Sequence, residues 1–237
     1  MLENVTGWLL LGLLVAVGLF LVVTRGTSCP LLLACAGNFG GGTGGTRNAG
    51  HLPDNPNQDV VYEKRDLKDI YLAGGCFWGV EAYIARIYGV AQVTSGYANG
   101  RTENPTYEDV CQRGSGHAET VHVRYDPRRL PLEKLLGIYF GIIDPTVQNR
   151  QGPDVGAQYR TGIYYVDSQD VPVIEAVVAA EASKYDRPIV TEVMPLIHFY
   201  AAEDYHQEYL EKNPGGYCHV DFSTLPARAG EQEEEGR

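Results

Sequence analysis

The chain has 237 residues, 44% of them hydrophobic and 21% charged, which allows one sizeable domain or two small ones. A net charge of −11 leaves no surplus of cations for phosphates and argues against a nucleic-acid partner. The five cysteines (Cys29, Cys35, Cys76, Cys111, Cys218) form no C-x-x-C pair and show no zinc spacing with histidine, which argues against a disulfide scaffold and a structural metal.

In chain order, Val5 to Thr24 carries no charge, and twenty helical residues reach about 30 Å, the thickness of a bilayer core. A hydrophobic N-terminal helix is therefore expected, associating the protein with a membrane. Glu3 before the run and Arg25 after it favour a retained anchor with the C-terminal side in the cytoplasm. Leu32-Leu33-Ala34-Cys35-Ala36-Gly37 resembles a bacterial lipobox and keeps a lipoprotein or a cleaved, exported form open. The expected organisation is an anchor or signal segment over 1–36, a glycine-rich linker over 37–58, a folded domain over 59–222 and an acidic disordered tail over 223–237.

Within the domain, strands are expected at Asp69–Ala73, Val90–Tyr97, Glu119–Tyr125, Thr161–Val166 and Met194–Tyr200. Helices are expected at Phe77–Ile87, Leu132–Ile143, Val171–Tyr185 and Ala202–Lys212, with stops at Asp144-Pro145 and Asn213-Pro214-Gly215-Gly216. Strands and helices without strict β-α-β alternation predict an α+β fold, a two-layer sandwich around a mixed sheet.

Gly74-Gly75-Cys76-Phe77-Trp78-Gly79 joins the first of these strands to the first helix. A thiol at a helix start meets amide N–H groups and the positive dipole end, which favour thiolate and lower the pKa from about 8.5. Phe77 and Trp78 set an apolar wall beside it. Further on, Gly116-His117-Ala118-Glu119 delivers a carboxyl group to a strand start. Asn104 to Cys111 and Asp154 to Arg160 are rich in polar groups, and Gly215-Gly216-Tyr217-Cys218-His219 carries a second thiol in a glycine-containing segment.

With these segments in this order, the chain from Lys68 to Cys218 resembles the peptide methionine sulfoxide reductase A family. Gly74-Cys76-Phe77-Trp78-Gly79 matches that family's nucleophile motif. Gly116 to Glu119, Asp154 to Tyr159, Ala202 to Gln207, Asn213-Pro214 and Gly216-Tyr217-Cys218 match further segments. The resemblance implies that Cys76 attacks the sulfoxide sulfur and that Phe77 and Trp78 hold the substrate methyl group. It implies Glu119 as the acid toward the sulfoxide oxygen, Tyr107 and Tyr159 as hydrogen-bond donors to it, Asp154 in the polar shell and Cys218 as the recycling thiol. It also implies S-sulfoxide preference, oxidised proteins or free methionine sulfoxide as substrates, no cofactor, and thioredoxin or a similar dithiol as reductant. Many members carry another cysteine further downstream. None follows Cys218 here, where His219-Val220-Asp221-Phe222 stands instead, which favours a direct Cys76–Cys218 disulfide.

The chemistry agrees with these residue types. A sulfoxide oxygen leaves sulfur only if protonated, and burial raises a glutamate pKa toward neutrality. The resulting sulfenic acid is trapped by a neighbouring thiol before further oxidation, a task suited to an exposed loop thiol. Cys111, in a strand-like stretch, reads as a buried spectator, His117 as shaping its loop and His206 as structural. The rivals are a cysteine hydrolase or acyltransferase using His117 or His206 as base, and a membrane-tethered module for apolar ligands in which Cys76 is dispensable.

Overall fold

The computed structural model describes residues 52–227. Among them are β1 (Lys68–Gly74), α1 (Phe77–Ile84), β2 (Val90–Ala98), α2 (Tyr107–Cys111), β3 (Ala118–Tyr125) and α3 (Leu132–Phe140). They are followed by the short hairpin β4 (Arg150–Gln151) and β5 (Asp154–Val155), then β6 (Thr161–Tyr165), α4 (Val171–Ala182), β7 (Glu192–Pro195), β8 (Phe199–Ala201) and α5 (Tyr209–Lys212). The six longer strands form one mixed sheet in the order β7-β6-β1-β3-β2-β8, antiparallel except for the β6–β7 pair. The expected α+β class with a mixed sheet is the class observed.

Alternation decides which side chains meet the helices, because successive strand residues point to opposite faces. Ile70 and Leu72 of β1 and Val121 and Val123 of β3 join Tyr83 and Ile84 of α1 in the main core. On the opposite face Ala73, Ala98 and Ala118 surround Tyr164 in a second, smaller cluster. The sheet curls over these small residues. Asn99 spans the gap between its edges, Nδ2 donating to Pro195 O (3.2 Å) and Oδ1 accepting from Ile197 N (2.8 Å).

Several expected elements are shorter or divided. Met194–Tyr200 is not one strand: Pro195 has no N–H to continue a ladder, and the chain leaves β7 at one sheet edge to enter β8 at the other. Ala202–Lys212 keeps only its last turn as α5, because Glu208 adopts left-handed backbone (φ 51°) and residues 204–208 form turns. The segment expected to be strand-like around Cys111 is instead the helix α2, opened by a capping box in which Thr106 Oγ1 accepts from Asp109 N and Asp109 accepts from Thr106 N. Residues 52–58, placed in the linker by composition, carry contacts to the domain: Leu52 is buried, and Asn57 Nδ2 donates to Ala85 O and Ile87 O.

The expected hydrophobic helix over Val5–Thr24, the Cys35 segment, the glycine-rich stretch up to Gly50 and residues 228–237 of the acidic tail lie outside the described residues. Among the described residues no helix is long and apolar enough to cross a membrane. The expected membrane association, with a cytoplasmic catalytic domain, is not upheld.

Helix α1 is buried along its whole length, Glu81 included. Its Oε2 accepts from Glu208 N (2.9 Å), but desolvation dominates and pushes the carboxyl up from 4.5 to about 7. The folded chain therefore holds this proton more tightly than the unfolded chain. The stabilising contribution is complete below pH 4.5 and disappears as pH rises through about 7. Urea unfolding of wild type and Glu81→Gln across that window is expected to show wild type losing on the order of 2–3 kcal/mol relative to the variant. A difference independent of pH would contradict this assignment.

Candidate active site

The site is assembled at the β1–α1 junction. Gly75 has φ +88°, and a side chain there would stand 2.6 Å from Gln151 Cβ, so glycine permits both the turn and the close approach of the β4–β5 hairpin. Gln151 is locked in turn to Asp144, accepting from its N and donating to its O, each at 2.8 Å. Its register partner across the hairpin is Asp154, which is thereby brought to the site.

Cys76 is the N-cap of α1 and is 7% exposed. Glu119, opposite Tyr97 in the sheet, lies on the helix-facing side of β3, and its Oε2 accepts from Phe77 N at 3.1 Å. The expected thiolate is not what this environment favours. Burial pushes the Cys76 thiol well above its ordinary value, and the Glu119 and Asp154 carboxylates push further in the same direction. The amide of Trp78 opposes them, as the helix-start argument requires. A helix terminus contributes up to about 2 kcal/mol, whereas full burial shifts a pKa by as much as about 3–5 units, or about 4–7 kcal/mol. Burial wins.

Phe77 and Trp78 belong to an aromatic cluster centred on His206. Trp78 Nε1 donates to His206 Nδ1 (3.0 Å), and the rings of Phe77 and Tyr107 lie 5.0 and 4.6 Å from the imidazole. Burial lowers the His206 pKa to about 4, so the ring is neutral and acts as an acceptor for Trp78. Tyr209 stacks on Trp78 at 3.7 Å with 12° between the planes. Glu203 ties the cluster to the sheet, accepting from Tyr97 OH (2.8 Å) and from Tyr107 N (2.9 Å).

On the other flank, burial pushes Asp154 up from 3.8 to about 6, against the opposing effect of Tyr217 OH, which donates to its Oδ2 at 2.8 Å. Tyr159 is buried. Burial first, then the charges of Glu119, Cys76, Cys111 and Asp154, hold its phenol protonated far above the ordinary range. Cys218, expected as an exposed loop thiol, is 3% exposed. Its sulfur occupies the space that a side chain on Gly79 would take, since a Cβ there would stand 3.0 Å away. Val220 N donates to it at 3.3 Å, and burial pushes the thiol up to about 11.

All eight residues singled out in the sequence thus gather around one turn of α1: Cys76, Phe77, Trp78, Glu119, Asp154, Tyr159 and Cys218 directly, and Tyr107 through the His206 cluster. Cys111 is half-buried rather than buried as expected. Glu203, Tyr209, Tyr217 and His219 were not read as site residues. Tyr217 and His219 flank Cys218 directly, and that adjacency was the available signal. Among the described residues no group of three or more His, Cys, Asp or Glu could hold a metal ion.

Neither histidine required by the hydrolase reading is available as a base toward Cys76. His206 Nδ1 is engaged by Trp78. His117 accepts from Gly100 N at 3.2 Å through Nδ1, while its Nε2 donates to Thr102 O at 2.9 Å. A second thiol seated against the helical turn that Cys76 caps suits thiol–disulfide exchange rather than acyl transfer. The molecule takes its place among thiol oxidoreductases.

The family model for peptide methionine sulfoxide reductase matches residues 68–236. The chain is 58% identical over 159 residues to peptide methionine sulfoxide reductase MsrA of Clostridium acetobutylicum, covering 67% of this chain and 98% of that protein. It is likewise 58% identical over 153 residues to the MsrA of Lachnoclostridium phytofermentans, covering 65% and 92%. Among solved structures, methionine sulfoxide reductase A of Corynebacterium diphtheriae superposes with a TM-score of 0.64 at 35% identity, over 74% of this chain and 89% of that one. Reduced Mxr1 of Saccharomyces cerevisiae gives 0.63 at 36% identity, over 69% and 96%. The chain belongs to the peptide methionine sulfoxide reductase A family.

Proposed function

We propose that this protein is a thiol-dependent peptide-methionine (S)-S-oxide reductase acting in repair of oxidised proteins, with Cys76 as nucleophile and Glu119 as acid. The observation that carries the reading is the Glu119 carboxyl seated on the Phe77 amide, directly beside the buried Cys76.

One proton passed from Cys76 to Glu119 creates the nucleophile and the acid together. The sulfur of Cys76 then attacks the sulfoxide sulfur while the Glu119 carboxyl protonates the oxygen. The S–O bond of the sulfoxide then breaks and the oxygen, with its proton, passes to the Cys76 sulfur as the S–S bond to the substrate breaks. Sulfoxide sulfur thereby gains two electrons and leaves as methionine, while Cys76 loses two and becomes sulfenic acid. Tyr159 and Tyr107 donate hydrogen bonds to the oxygen. Phe77 and Trp78 receive the methyl group, their rings braced by His206 and Tyr209. Asp154 completes the polar shell. No cofactor takes part. The experiment is dithiothreitol-supported reduction of a peptide containing methionine sulfoxide, with the two sulfoxide diastereomers supplied separately. Methionine is expected from the S form, and absence of methionine from both would contradict the reading.

Recycling is assigned to Cys218, seated against Gly79 on the helix that Cys76 caps. Condensation of the Cys218 thiol with the Cys76 sulfenic acid releases water and leaves a Cys76–Cys218 disulfide. Thioredoxin or a similar dithiol attacks this bond. Cys218→Ser is expected to release one methionine per chain at the wild-type rate, to accumulate sulfenic acid and to lose thioredoxin-supported cycling while keeping activity with dithiothreitol. Undiminished cycling with thioredoxin would remove Cys218 from this role.

A further inference from the structure

His219 directly follows Cys218, and its ring is turned inward, with the side chain 6% exposed. Nε2 lies 3.1 Å from Gly74 O, and since a carbonyl only accepts, Nε2 carries the ring hydrogen. The ring rests on the bare face of Gly75, where a Cβ would stand 3.1 Å from Nε2. The imidazole thus joins the segment bearing Cys218 to the two residues that precede Cys76.

Its other nitrogen, Nδ1, is buried without a hydrogen-bond partner and lies 4.0 Å from Asp154 Oδ2. Burial lowers the ring pKa to about 4, so this contact is between a neutral ring and a carboxyl group rather than an ion pair. The residue on the other side of Cys218, Tyr217, also reaches Asp154, through its hydroxyl. Both neighbours of the second thiol are therefore turned into the site, one to the Gly74 carbonyl and both to Asp154.

We propose that His219 is a positioning residue for the recycling step, holding Cys218 in register with Cys76 through the Nε2–H to Gly74 O hydrogen bond. The inference rests on the reading of Cys218 as the resolving thiol. The step it serves is the balanced condensation above, in which the S–S bond forms, the S–O bond of the sulfenic acid breaks and the thiol hydrogen leaves with the hydroxyl as water. Without this tether the segment must find its geometry at each turnover, and misplacement by about 1 Å can cost up to ~10²-fold in rate. The first half-reaction does not depend on it, because Cys76, Phe77 and Glu119 are fixed by the sheet and α1.

The test uses the full chain, mixed with one equivalent of sulfoxide peptide and no reductant. Methionine release is followed beside closure of the Cys76–Cys218 disulfide, read by dimedone trapping and peptide mass mapping. His219→Ala is expected to release methionine within about threefold of wild type but to close the disulfide at least about tenfold more slowly. His219→Gln, whose side-chain N–H can reach Gly74 O, is expected to recover most of the loss and also serves where the alanine variant fails to fold. Closure at the wild-type rate in His219→Ala would overturn the inference, as would an equal slowing of methionine release and closure. So would a glutamine variant that folds and closes no faster than alanine. A wild type that forms no Cys76–Cys218 bond would instead overturn the resolving role of Cys218 itself.

Discussion

Cys76→Ser is expected to form no methionine at any concentration of reductant, a loss of at least ~10³-fold, on the scale seen when a nucleophile is removed. The variant should fold, since serine is close in size and the N-cap position accepts it. Cys111→Ser, by contrast, should release methionine in a single turnover. The contrast is informative because three cysteines occur among the described residues, and Cys76 alone adjoins the amide on which Glu119 is seated. The measurement is methionine released per chain without reductant for each variant. A full turnover by Cys76→Ser would refute the assignment.

Glu119→Gln is expected to slow sulfoxide reduction by about 10²- to 10⁴-fold, the range of general acid catalysis. The amide oxygen can still accept from Phe77 N, so the start of α1 keeps its place. What the amide cannot do is take a proton from Cys76 and deliver it to the sulfoxide oxygen. Single-turnover rates across pH, with thermal melting as a control on the fold, check the result. A loss below about fivefold would remove Glu119 from the acid role.

The four inner strands of the sheet were legible. The Glu119–Tyr125 run alternates with period 2, and the observed ends of β1, β2, β3 and β6 lie within one residue of the expected ones. The expectation failed at Met194–Tyr200, a mostly apolar run along which the backbone passes from one sheet edge to the other. Pro195 is the local signal for a break, but the change of edge is not legible locally, because the partners that divide the run, β6 and β2, are remote in sequence. Ala202–Lys212 failed for a similar reason: Glu208 is held in left-handed backbone with its amide on Glu81, a residue of α1.

The site shows the same division. Cys76, Glu119 and Cys218 were recognisable as motifs, but their electrical environment was not. The carboxylates that raise the Cys76 pKa come from β3 and the β4–β5 hairpin, and only the folded chain brings them to the helix start. The glycine-flanked Cys218 suggested exposure, whereas Gly79 leaves a seat for its sulfur against α1. Glycine in the nucleophile motif therefore acts on the second thiol as well as on the turn.

The central claim is that sulfoxide oxygen is removed by Cys76 and that Cys218 then closes on it. The most direct measurement is peptide mass mapping of wild-type protein quenched after one equivalent of methionine sulfoxide peptide, with methionine quantified in the same sample. One methionine per chain with a Cys76–Cys218 disulfide is the predicted result. Methionine released while Cys76 remains an unmodified thiol would contradict the account, and a dominant Cys76–Cys111 bridge would show that the wrong thiol had been assigned to recycling.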